Sequence, residues 1–93
     1  MVHELKSDNA VFKAAVKGDK TFEIRRNDRN FEVGDLLLLR ETVYTGQEMK
    51  AQGKPLKYTG NMLLLKVSYI LHGPAYGLPE GMCIMSTETI RIV

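Results

Sequence analysis

Apolar and polar residues alternate along several short stretches of this chain, and only one stretch follows a helical repeat. Val2-His3-Glu4-Leu5-Lys6 predicts a short strand; Val2 and Leu5 differ in parity, so the pattern leaves its inward face open. Ser7, Asp8 and Asn9 then offer N-caps for a helix over Ala10 to Lys17, a stretch without Gly or Pro that stops at Gly18. Val11, Ala14 and Ala15 make one stripe on it and Phe12, Ala15 and Val16 an overlapping one, so the helix is expected to pack over a wide arc against a sheet.

Thr21-Phe22-Glu23-Ile24-Arg25 alternates strictly and predicts a strand with Phe22 and Ile24 buried and Thr21, Glu23 and Arg25 on the other face. Arg26-Asn27-Asp28-Arg29-Asn30 is turn chemistry, because Asx side chains bond their own backbone. Phe31 and Val33 resume packing before Gly34-Asp35 opens a strand over Leu36 to Val43. From Tyr44 to Asn61 turn signals outnumber apolar residues, which predicts a long loop or hairpin excursion of functional or mobile character. Met62 to Leu71 is the longest apolar-rich strand candidate, His72 to Gly81 a Gly- and Pro-bearing loop, and Met82 to Val93 one bent strand or two short ones. The order predicts an α+β, mostly β domain with one principal short helix, its strands closing into a small pseudo-barrel that removes sheet edges.

Ninety-three residues suit one domain, and 44% hydrophobic with 26% charged residues is the make-up of an ordinary globule, which excludes disordered, collagenous and coiled-coil readings. Thirteen Lys and Arg against eleven Asp and Glu leave a net charge of +2, which permits nucleic acid without demanding it. The lone Cys83 excludes an internal disulfide and thiolate zinc cages, and it points to a reducing, cytoplasmic compartment. The apolar runs Leu36 to Leu39 and Met62 to Leu65 are far short of a bilayer span, so no membrane anchor is expected. No clustered ligand spacing supports a metal, and neither GxGxxG nor a Walker pattern supports a phosphate cradle, so no cofactor is expected.

Chemistry concentrates in Gly18-Asp19-Lys20-Thr21-Phe22-Glu23-Ile24-Arg25. In a strand Glu23 and Arg25 point the same way, their Cα atoms roughly 7 Å apart, so carboxylate and guanidinium can orient each other or a ligand. Lys20 has the parity of Phe22 and joins them only from an irregular turn. With Arg26 and Arg29 the stretch is the densest positive region of the chain, suited to phosphate, although strand ends and turns are also charged simply because they are wet. His3 on the first strand and His72 in the Gly-Pro loop are candidate proton-transfer groups or ordinary surface and capping residues. Tyr76, between Gly73 and Gly77, can stack on a base or lie as a lid over the core.

Gly18, Lys20, Glu23 and Arg25 spell GxKxxExR, and the stretch resembles the motif of the ASCH domains, a branch of the PUA-like barrels. His3-Glu4-Leu5-Lys6, Arg25-Arg26-Asn27-Asp28-Arg29, Val33-Gly34-Asp35 and Tyr44-Thr45-Gly46 extend the likeness to a small bacterial and phage subfamily, DUF3850, over nearly all of the chain. The resemblance implies a pseudo-barrel with a cleft between sheet and helix that binds RNA or a nucleotide. The expected binding set is His3, Lys6, Lys20, Glu23, Arg25, Arg26, Asn27, Asp28, Arg29 and Tyr76. Some ASCH members hydrolyse acetylated cytidine or RNA, and that alternative gives Lys20 and Glu23 catalytic duty; the amidohydrolase branch carries threonine where Glu23 stands. A third reading makes the Tyr44 to Asn61 excursion a contact surface for a phage or host protein.

Overall fold

A computed structural model describes all 93 residues. Five strands, β1 (Val2–Ser7), β2 (Phe22–Arg26), β3 (Leu36–Thr42), β4 (Tyr58–His72) and β5 (Met82–Ile92), form one sheet in the order β1-β3-β4-β5-β2. Only β1 and β3 run parallel, and the sheet curls into a half-barrel. Helix α1 (Asn9–Val16) makes the crossover from β1, and a second short helix, α2 (Gly46–Gln52), lies between β3 and β4. The architecture is α+β and mostly β, as the pattern predicts.

The core is the concave face of the curl. Leu5, Leu37, Leu39, Leu63, Leu65, Val67, Cys83 and Met85 meet there under Phe12 and Ala15 of α1 and Phe31. The stripe Phe12, Ala15, Val16 is therefore the packed one, and Val11 stands 43% exposed at its side. Register shifts in the β4–β5 pairing bend both long strands, and Met82 to Ile92 is one bent strand.

Three expectations are overturned. Phe22 and Ile24 are 45% and 50% exposed, whereas Glu23 is 2% exposed beside Met85, its cross-strand partner. Strict alternation shows that Phe22 and Ile24 share a face but not which face is inward; the pairing with β5 settles that. Val33 is also outward, on a turn ended by Gly34 at φ +93°. The stretch from Tyr44 to Asn61 is not a bare loop: it carries a second short helix beside the principal one, α1. Thr45 and Glu48 form a capping box that starts α2, Gly53 ends it at φ +67°, and β4 begins at Tyr58. α2 buries none of its residues, which is why no apolar stripe announces it.

Candidate functional site

The motif glycine sets the site's geometry. At Gly18, with φ +83°, the amides of Gly18 and Asp19 donate to the carbonyls of Ala15 and Ala14 at 3.1 and 3.0 Å, a Schellman closure that turns the chain back from α1 toward β2. The Lys20 amide also returns to the Ala14 carbonyl, at 3.1 Å, so Lys20 precedes the ladder and is free of its parity. Gly18→Ala is expected to cost about 1 kcal/mol from the left-handed backbone alone, since the space around a Cβ is open, and Gly18→Asn less. Urea unfolding of the two variants checks this; an alanine variant as stable as the parent would refute it.

Lys20 and Arg25 close on Glu23 from both sides. The Lys20 ammonium donates to Oε2, while Arg25 Nε and Nη2 donate to Oε1 at 3.2 and 3.0 Å. The Glu23 side chain is 3% exposed, and two cations on one carboxylate make that burial tolerable. Arg25 Nη2 also donates to the Lys6 carbonyl of β1 at 2.9 Å, and Arg29 Nη1 donates to the Glu4 carbonyl at 2.7 Å. β1 and β2 are the two ends of the sheet, so these guanidiniums staple the open seam of the half-barrel.

At that seam lies a hollow of about 230 Å³, walled by Lys6 and Ser7 of β1, Asp8 and Val11 at the start of α1, and Lys20, Glu23, Ile24 and Arg25. A second hollow of about 480 Å³ shares Lys6 and Asp8 with it and continues past Thr42 to Gly46, Met49 and Lys50 of α2. Asp8 joins the two helices, its Oδ1 accepting from the Gly46 amide at 3.0 Å. Of the expected set, Lys6, Lys20, Glu23 and Arg25 line this trough. Ser7, Asp8, Val11 and Lys50 line it as well, without a signal in the sequence: Ser7 and Asp8 read as capping residues, and Lys50 sits on a helix that the apolar pattern does not reveal.

The remaining candidates lie elsewhere. His3 is 6% exposed and does not reach the trough; its Nε2 bonds Asp35 Oδ2 at 2.8 Å, and its ring meets Phe31 edge-on at 4.8 Å. Asp35 also accepts from the Glu32 amide at 3.0 Å and lies 3.3 Å from the Met1 ammonium. The His3 hydrogen bond, aided by these two donors and opposed by desolvation, holds its carboxyl below the ordinary range. Asn27 shapes the turn after β2, accepting from the Phe31 amide at 3.1 Å and facing His72 at 3.5 Å. Arg26, Asp28 and Arg29 are exposed and Tyr76 is 97% exposed, and none lines the trough. Burial, with the charge of Asp28, pushes the Cys83 thiol up. No helix is long and apolar enough to cross a membrane.

Fold and site together define a small, mostly β half-barrel domain with a charged trough along its stapled seam. The family model of DUF3850, described as a domain of unknown function, matches residues 2–87, and the chain belongs to that family. It is also similar to a protein of Escherichia phage P2 described as "Uncharacterized 12.9 kDa protein in GpA 3'region", 39% identical over 54 residues. That match covers 55% of this chain and 50% of the phage protein, so the likeness spans about half the relative's length.

Proposed function

We propose that this is an ASCH domain of the PUA-like type, and that it binds RNA along the seam trough. The observation that carries the reading is the convergence of Lys20, Glu23 and Arg25 at one hollow that runs on past Lys6 to Lys50. Glu23 offsets only one of its two cations, and Arg25 Nη1 has no protein partner, so a phosphate oxygen finds both net positive charge and a free donor. The seam hollow, at about 230 Å³, is smaller than the usual site for a whole small molecule, whereas two adjoining hollows that share Lys6 and Asp8 suit a chain lying across both. The pairing favours binding over hydrolysis, because Lys20 and Arg25 already occupy both oxygens of the Glu23 carboxylate.

The test is anisotropy of a labelled mixed-sequence single-stranded RNA, titrated from about 50 to 300 mM salt. Affinity should fall with salt, and Lys20→Ala, Arg25→Ala and Lys50→Ala should each flatten the log–log slope by about 0.7. Lys66→Ala, outside the trough, should leave it unchanged. RNA recovered intact after incubation supports binding; cleavage abolished by Lys20→Ala would move the reading to hydrolysis. A flat salt response, or trough variants that keep the parent's slope, would overturn both the trough and its ligand.

A further inference from the structure

A third hollow, of about 410 Å³, opens on the other flank of α1, where the helix crosses the far ends of β3, β4 and β5. Phe12 and Val16 of α1, Met62 of β4 and Ile92 of β5 give it apolar walls. Among them stands Glu41 of β3, 3% exposed. Its Oε1 accepts from Thr59 Oγ1 at 2.9 Å and Asn61 Nδ2 at 3.0 Å, whereas its Oε2 is buried with no partner. Every other buried side-chain nitrogen and oxygen in the fold is hydrogen-bonded. A carboxylate oxygen in an apolar wall is costly unless something donates to it.

We propose that this hollow is a second binding site, distinct from the seam trough. Its ligand is a small aromatic molecule with an amino donor at its inner end and an anionic group at its outer end. The inner end is set by the Glu41 carboxylate, which lines the hollow and has one oxygen, Oε2, without a donor. The apolar middle is set by the walls of Phe12, Val16, Met62 and Ile92. The outer end is set by Lys13 and Lys17, both exposed and one turn apart on α1, where they line the same hollow. The volume lies within the range of small-molecule sites. The order from buried carboxylate to exposed ammonium groups fixes the ligand's polarity: a simple cation meets Lys13 and Lys17 on the way in, and a simple anion meets Glu41 at the end. The site shares no lining residue with the trough, so it does not depend on the RNA reading.

The probe is 4-(aminomethyl)benzoate, which carries both ends on one ring; benzylamine and benzoate each carry one. Methyl NMR should show saturable shifts at Met62 and Ile92 with a Kd of about 0.1 to 1 mM, and at least tenfold weaker binding of either half-probe. Glu41→Gln keeps the side chain's shape and the bonds to Thr59 and Asn61 while putting an amide donor where Oε2 was. It should weaken the full probe at least tenfold with an unchanged or higher melting temperature, so that lost binding is not lost folding. Lys20→Ala should bind the probe as the parent does, which separates this site's failure from the trough's. Shifts that never saturate, or equal affinity in Glu41→Gln, would overturn the proposal; the second result would mean that Oε2 meets water rather than a ligand.

Discussion

Glu23→Ala is expected to destabilise the fold by about 3 kcal/mol, the largest effect of any single change in the trough. The loss is not the energy of the ion pairs. It is the cost of leaving Lys20 and Arg25, whose side chains are only 13% and 25% exposed, facing each other without a counter-charge. Their partial exposure lets them turn toward water, which places the figure at the lower end of what breaking a buried pair costs. Glu23→Gln keeps the acceptor oxygen and the shape, and should cost about half as much. Replacing all three groups, as Lys20→Met, Glu23→Leu and Arg25→Met together, strands no charge. The triple variant should therefore be more stable than Glu23→Ala, although it removes every polar group of the cluster. Urea midpoints of the three proteins decide the order; a triple variant less stable than Glu23→Ala would mean that the cluster holds the seam rather than merely neutralising itself.

The same triple variant separates stability from function. If the parent binds RNA as proposed, a folded triple variant without salt-dependent RNA affinity would place that binding in these three side chains and not in the fold's general charge. The staple from Arg25 to the Lys6 carbonyl is lost as well, but that carbonyl lies at the sheet's edge and water can replace the donor.

What could be read from the residues follows how local the determining physics is. The α1 stop at Gly18 and the strand after it are set by neighbours in sequence, and both are legible. So is the meeting of Glu23 with Arg25, which period two alone puts on one face. The inward face of β2 is set by pairing with β5, some sixty residues away, and the preference of Phe22 and Ile24 for burial gave the wrong answer. The charged face is inward because Lys20 and Arg25 supply what Glu23 needs. α2 was legible in principle, since Thr45 and Glu48 stand at capping-box spacing, but its lack of an apolar stripe masked it. The sequence places His3 at the cleft because strand position does not reveal a partner 32 residues away; Asp35, which holds it in the core, explains the motif-like Gly34-Asp35 as turn and staple chemistry.

Asp35→Ala should cost about 3 kcal/mol at neutral pH, because it frees both the buried His3 ring nitrogen and the Glu32 amide from a charged acceptor. The acid limb gives a second, independent signature. The folded Asp35 carboxyl titrates below its ordinary value, so its linkage contribution to stability is complete above the unfolded pKa near 3.9 and is lost as pH falls through the lower folded value. Protonation in the fold gives up the charge that His3, Glu32 and the Met1 ammonium all favour. Asp35→Asn never carries that charge, so its stability deficit against the parent should narrow steadily as pH falls below about 4. Urea midpoints at a series of pH values, parent against Asp35→Asn, read this directly. A deficit that stays the same on both sides of pH 4 would show that the hydrogen bonds to Asp35 serve its shape and not its charge, and that His3 is held in the core by packing against Phe31 instead.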